Sequence, residues 1–249
     1  MDANWTAPVF KSSNHPGALI GILWNLQGKR YFGLMRCIVT AGPTYEPLDQ
    51  VRRLTNFSSG RLGSELANFL IARGHQVTLL IGEQATYKGE RPMQTVQTFT
   101  TTKDLRDRLR AISAEQVDAV FHAAAVSDFG FAKVWVRSEE GELKEIKSGK
   151  ISTRQGTLLA ELTPTPKIIG ELRGLFPEGK LIGWKFEVDG SRPGVIRLAQ
   201  KQISECSTNG SVANGPAYGA GFGLVTATEC AHLADAPALF IALEQLILG

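Results

Sequence analysis

The chain has 249 residues, 43% of them hydrophobic and 20% charged, which at ~150 residues per domain allows one large domain or two small ones and excludes a disordered polymer. Lysines and arginines number 27 against 24 acids, a net charge of +3; that is no basic face for nucleic acid, and it suits a pocket for small anions. Three scattered cysteines, Cys37, Cys206 and Cys230, exclude a disulfide framework or zinc site, and no apolar run reaches the ~18 residues of a membrane span. The short stretch 17–26 lacks the flanks of a secretory signal, so a reducing cytoplasm without membrane partners is expected.

In chain order, residues 1–34 mix prolines, glycines and isolated aromatics without a period. They read as a disordered extension or an upstream start the cell does not use, with ordered structure as the alternative. From Met35 a single domain, 35–249, is expected. Cys37–Ala41 is an apolar strand followed by a long loop; Leu62, Leu66, Phe69 and Leu70 mark a helix that ends at Gly74. Strands follow at 77–81, 95–99 and 119–125, with a helix through Leu105, Leu109 and Ile112 between the last two. The segment 133–163, punctuated by Gly141, Gly149 and Gly156, breaks the alternation and reads as a flap or hairpin excursion. Helices at 166–175, 194–206 and around Leu239–Ile247, with strands at 181–186, 211–213 and 223–227, complete the pattern. Apolar strands alternating with amphipathic helices predict an α/β fold, a Rossmann-like and mostly parallel sheet covered on both faces. Ligands then bind at the carboxyl ends of the strands, which directs attention to the loops 42–60, 125–133 and 184–192.

The first loop lacks the dinucleotide glycine spacing, yet Ser58-Ser59-Gly60 stands where a helix begins. Free N–H groups, two hydroxyls and the positive end of the helix dipole make a phosphate site there. Gly63 lets that helix pack closely on the strand. Simple helix capping by a serine is the plainer reading, and Arg52 and Arg53 beside Asn56 tilt it towards an anionic acyl group. In the second loop, small side chains at Ala123, Ala124 and Ala125 let a flat group lie against the backbone. Asp128 suits ribose hydroxyls, a metal ion or an amine, and equally a turn. His122 reads as a satisfied core histidine. Lys144, Lys147 and Lys150 form either a solvated face or a flap that neutralises phosphoryl charge. In the third loop, Trp184 and Lys185 offer the edge of a base pocket, or a core tryptophan and a surface lysine.

The run Val39 to Gly63, VTAGPTYEPLDQVRRLTNFSSGRLG, strongly resembles the signature of phosphopantothenate–cysteine ligases. AAAVSDF at 123–129, KIS at 150–152, LTPTP at 162–166, IGWKFE at 182–187 and VAN at 212–214 follow in the family's order, so the resemblance spans about 36–249. It implies a homodimeric enzyme of coenzyme A biosynthesis that joins 4′-phosphopantothenate to cysteine through an acyl-nucleotidylate. The resemblance further implies a nucleoside triphosphate, CTP or ATP, as co-substrate, with Mg2+ arriving on it and its protein ligands left open. No flavin is expected, the decarboxylation that precedes this step being left to another chain. By the same resemblance, Asn56, Lys150 and Arg52 carry catalysis. Gly42, Thr44, Ser58, Ser59, Gly60, Ala123, Asp128, Phe129, Trp184 and Lys185 bind nucleotide, and Asn56, Ala124, Ala125 and Asp128 bind substrate. The sequence departs from the bacterial pattern at Lys150-Ile-Ser-Thr and at Trp184-Lys-Phe-Glu, and its helix at 194–206 has lost basic residues relative to that pattern before Val212, which leaves the nucleotide open. The rivals are a nicotinamide-dependent reductase and a non-catalytic nucleotide binder of the same fold. The reductase lacks both its glycine fingerprint and a Tyr-x-x-x-Lys pair.

Overall fold

The computed structural model describes residues 23–24, 30–31, 34–92, 95–146, 149–152 and 156–249. Most of the expected N-terminal extension, and Lys147 of the lysine run, lie outside the described residues. Within the extension, β1 (Leu23–Trp24) and β2 (Arg30–Tyr31) pair antiparallel, and residues 34–249 form a separate compact unit.

That unit is built on β3 (Arg36–Ala41), β6 (Gln76–Gly82), β7 (Thr95–Phe99), β8 (Ala119–His122), β12 (Lys180–Phe186), β13 (Gly210–Asn214), β14 (Phe222–Val225) and β15 (Cys230–Leu233). Their order across the sheet is β15-β14-β13-β12-β8-β3-β6-β7. The ladders from β7 to β13 are parallel and the last two are antiparallel. Alternation along β3 explains the layering: Cys37, Val39 and Ala41 enter one core and Ile38 the opposite one. The first core takes Leu66 and Leu70 of α1 (Arg61–Ala72) and Leu239, Leu243 and Ile247 of α5 (Ala236–Leu248). The second takes Leu105 and Leu109 of α2 (Thr102–Ile112) and Ile168 and Leu172 of α3 (Ile168–Leu175). On that same side α4 (Arg192–Cys206) packs Val195, Ala199 and Ile203 against Ala213 and Val225. A strand buried on both faces must be apolar throughout, which is why β3, β6 and β8 read as continuous runs.

The sequence reading differs from the fold in five places. The strand expected over 119–125 stops at His122, because Ala123–Ala125 leave the ladder to pair with the first loop: Ala125 N–H donates to the Gly42 carbonyl at 2.9 Å and Thr44 N–H to the Ala125 carbonyl at 3.2 Å. The strand expected over 223–227 stops at Val225, where Thr226 Oγ1 accepts the N–H groups of Thr228 and Glu229 and turns the chain. It then returns as β15, which the short sequence Cys-Ala-His-Leu does not announce. The excursion is a three-stranded antiparallel arm, β9 (Phe129–Arg137) between β10 (Leu143–Glu145) and β11 (Thr157–Pro164). Inside the first loop, β4 (Tyr45–Pro47) and β5 (Arg53–Thr55) form a small ladder.

Candidate active site

The chain runs from β3 outward to β6 and β7, then crosses back to place β8, β12 and β13 on the other side of β3. The crevice beyond the carboxyl ends of β3 and β8 is therefore the point where strand order reverses, the usual ligand site of such sheets. A cavity of about 940 Å³ opens there. It draws on the first loop and the start of α1 (Asn56 to Gly63), the end of β8 (His122 to Asp128), the entry to α3, the end of β12, and α4. A second cavity, about 580 Å³, lies at the amino ends of β3, β6 and β7 among Arg36, Gln76 and Thr95 and contains none of the motif residues.

The start of α1 has its N-terminal groups open. Its N-cap is Gly60, at φ 75°, and no side chain caps the helix; Ser59 Oγ only accepts the Arg61 N–H at 3.3 Å. Gly60 takes a left-handed conformation that a side chain would strain, and an added Cβ would meet Ile81 Cδ1 at 2.9 Å. The helix presses on β3 because Gly63 has no side chain: a Cβ there would lie 2.6 Å from that of Ala41. Uncapped N–H groups, the serine hydroxyls and the dipole form an anion cradle.

Opposite it, Asn56 Nδ2 donates to the Ala125 carbonyl at 3.2 Å, joining the first loop to the alanine-rich end of β8. Thr44 is buried beneath this junction, its Oγ1 accepting the Ser127 N–H at 2.8 Å. Asp128 is exposed and ion-paired with Lys167. Lys185 pairs with Glu187 at 2.8 Å, and Lys201 with Glu205 at 3.7 Å. Burial and the neighbouring Glu205 charge push the Cys206 thiol up. Two polar atoms at the strand ends, Trp184 Nε1 and Asn214 Oδ1, are buried without a hydrogen-bond partner among the described residues.

Of the site residues expected from sequence, Asn56, Ser58, Ser59, Gly60, Ala123, Ala124, Ala125, Asp128, Trp184 and Lys185 come together around this cavity. Gly42, Thr44, Arg52, Phe129 and Lys150 are not among its lining. Gly42 and Thr44 brace the first loop against the second, and Phe129 opens the arm. Arg52 binds Asp49 through Nη2 at 2.6 Å and Nε at 3.1 Å, and donates to the Ile151 carbonyl. Asp49 also accepts the N–H groups of Val51, Arg52 and Ile151. Burial pushes its carboxyl up, but those hydrogen bonds and the Arg52 guanidinium outweigh it and hold it well below the usual carboxylate range. Gln50 N–H reaches the Gly149 carbonyl at 3.0 Å, so the residues on both sides of Lys150 are clamped to the 49–52 turn. Arg53 stacks on Tyr45 and pairs with Glu83 at 3.5 Å.

Sequence reading missed Lys167, Lys201, Gln202, Glu205 and Cys206 as cavity residues. The last four recur at one-turn spacing on α4, a face that could have been marked once α4 was placed beside β12.

A model of the DNA/pantothenate metabolism flavoprotein C-terminal domain matches residues 33–237. The chain belongs to that family. It is 35% identical over 194 residues to the coenzyme A biosynthesis bifunctional protein CoaBC of Thermococcus kodakarensis, covering 76% of this chain and 42% of that protein. It is 30% identical over 192 residues to the protein of the same name from Bacillus subtilis, covering 76% and 43%. The crystal structure of the DNA/pantothenate metabolism flavoprotein from Streptococcus pneumoniae superposes with a TM-score of 0.76 at 26% identity, over 86% of this chain and 98% of that one. The chain thus spans about two-fifths of the curated relatives' length while matching nearly all of the solved flavoprotein chain. Among the described residues, no helix is long and apolar enough to cross a membrane.

Proposed function

We propose that this chain is a nucleotide-dependent ligase that joins 4′-phosphopantothenate to cysteine in coenzyme A biosynthesis. The observation that carries the reading is the convergence, at the β3–β8 crevice, of the uncapped start of α1, Asn56 and the alanine-rich end of β8. The relatives named above support a place in coenzyme A biosynthesis, and the resemblance of the run Val39 to Gly63 supports the two substrates.

The chemistry divides in two. The substrate carboxylate attacks the α-phosphorus of the triphosphate; an acyl O–P bond forms, the α–β P–O bond breaks, and pyrophosphate leaves. The cysteine amine then attacks the acyl carbon, a C–N bond forms, the nucleoside monophosphate departs and the amine loses a proton. Positioning and fixed positive charge do most of this work. Ser58, Ser59 and Gly60 cradle phosphate, and Lys167, Lys185 and Lys201 exchange their carboxylate partners for phosphate oxygens. Asn56 holds the acyl group over Ala124 and Ala125, with Asp128 beside the ribose. Lys150, held through the turn that Arg52 and Asp49 organise, supplies charge to the triphosphate. Mg2+ comes with the nucleotide, its ligands chiefly phosphate oxygens.

The reaction takes place in the cytoplasm, and no flavin takes part in it. The protein works as a homodimer; exposed Leu143, Leu159 and Leu162 on the arm support this.

The test is pyrophosphate release from purified protein given 4′-phosphopantothenate, cysteine and Mg2+, with CTP and ATP in parallel. Release that depends on 4′-phosphopantothenate is expected, and the faster nucleotide identifies the co-substrate. Nucleotide binding without release would leave only a nucleotide-binding protein of this fold.

A further inference from the structure

His122 is the last residue of β8, beside Thr40 of β3 and Gly183 of β12 in the ladder, and it is 6% exposed. Its Nδ1 lies 2.9 Å from Thr40 Oγ1. That hydroxyl also accepts the Ala124 N–H at 3.1 Å, and Thr40 itself is fully buried. An N–H only donates, so the hydroxyl proton of Thr40 has one acceptor left, His122 Nδ1. Nδ1 is therefore an acceptor, and the ring proton sits on Nε2.

Among the described residues, nothing accepts that Nε2–H. The ring's Nδ1 edge is turned to Thr40, His122 is among the residues that line the cavity, and its Nε2 is not among the fully buried unpartnered atoms. Burial holds the imidazole neutral, its pKa lowered to about 4. A core histidine was the expectation from sequence; half of the ring fits it, and the other half carries a donor without a partner among the described residues, in a side chain that lines the ligand site.

The surroundings say what this donor meets. Phosphates have the helix start at Ser58–Gly60 and the lysines of the rim. The acyl group has Asn56, bonded to the Ala125 carbonyl. On the face of the sheet that His122 occupies, the cavity wall has an apolar patch of Val126, Ile168 and Ile169, with Thr165 and the α4 residues Lys201, Gln202 and Glu205 beyond it. A neutral donor beside an apolar patch suits a flat heteroaromatic ring with acceptors on its edge.

We propose that His122 reads the nucleotide: its Nε2–H donates to a ring nitrogen or carbonyl oxygen of the base and fixes the base at the end of β8. This rests on the reading of the cavity as a nucleoside triphosphate site.

The experiment titrates ATP, CTP and tripolyphosphate into wild-type protein, His122→Ala and His122→Gln. The imidazole Nε2–H resonance of the wild type is followed by NMR in the same titrations. In His122→Ala the preferred nucleotide binds about tenfold more weakly, as for loss of one neutral hydrogen bond, while tripolyphosphate affinity stays within about twofold. His122→Gln recovers part of the loss, and the Nε2–H resonance moves with nucleotide but not with tripolyphosphate. Unchanged nucleotide affinity, equal weakening of nucleotide and tripolyphosphate, or an unmoved resonance at saturating nucleotide would overturn the proposal. A wild-type protein that binds neither nucleotide overturns it together with the reading beneath it. One that binds nucleotide and releases pyrophosphate with His122 unmoved overturns this inference alone.

Discussion

Two glycines occupy the same helical position in opposite surroundings, and they isolate the contact that sets the anion cradle. Gly63 is the third residue of α1 and Gly170 the third of α3. Replacing either by alanine brings the same gain in helix propensity, up to ~1 kcal/mol. At Gly170 the new Cβ meets nothing within 4 Å, so Gly170→Ala is expected to stabilise the protein by a few tenths to ~1 kcal/mol. At Gly63 the Cβ would lie 2.6 Å from Ala41 Cβ, 3.2 Å from the Thr40 carbonyl oxygen and 3.3 Å from Ala41 Cα. Carbon pairs rest at ~3.5–4.0 Å, so α1 must lift by roughly 1 Å, and such overpacking costs about 1–3 kcal/mol. The clash therefore wins: Gly63→Ala loses stability overall and stands about 1–3 kcal/mol below Gly170→Ala. Urea unfolding at equilibrium measures the difference, with equal slopes for the two variants as the check that only stability changed. Because lifting α1 moves the N–H groups after Gly60, Gly63→Ala also weakens nucleotide binding and Gly170→Ala does not. Equal stability of the two variants would refute the close approach of α1 to β3.

Asn56→Ala is expected to retain carboxylate-dependent pyrophosphate release within a few-fold while amide formation falls by about 10²-fold; rapid-quench separation of nucleotidylate from product decides it, and intact overall turnover removes Asn56 from the second step. Asp49→Asn is expected to loosen the Gly149–Ile151 segment, seen as lost protection of the Ile151 N–H from hydrogen exchange and a raised KM for nucleotide. Because the Asp49 carboxyl is held down in the folded protein, its contribution is complete above the unfolded value of ~3.9 and is lost only as pH falls through the lower folded value. Wild-type protection at Ile151 therefore stays flat from neutral pH to about 5 and falls only in strong acid; a loss centred near neutrality would assign the clamp to another group.

The fold was legible where one physical cause dominates. Double-faced burial writes itself as apolar runs in β3, β6 and β12, and single-faced burial as the 3.6-residue period of α1 and α2. It was illegible where partners come from far along the chain. β4 and β5 pair across the first loop through exposed or half-covered residues, and β11 is mostly exposed along its length, so neither carries a hydrophobic pattern. The end of β8 is the sharpest case. Ala123–Ala125 continue the small apolar run of the strand, and only the Gly42 carbonyl and Thr44 N–H, some eighty residues earlier, draw them out of the ladder.

The site followed the same division. Residues placed by a local device, Ser58 to Gly60 at a helix start and Ala123 to Asp128 at a strand end, were expected at the crevice and line its cavity, because the device itself is visible in the sequence. Arg52 shows the limit. An arginine pair beside a carboxamide reads as an anion site, yet the anion that Arg52 holds is Asp49, three residues away, and its Nη2 also donates to the Ile151 carbonyl. Its guanidinium joins the first loop to the segment that carries Lys150. His122 shows the converse: it looks like core from the alternation of β8, and the fold satisfies one nitrogen with Thr40 while leaving the other at the cavity. In both residues function depends on which hydrogen-bonding groups remain after local structure has taken its share, and only the assembled crevice reveals that remainder.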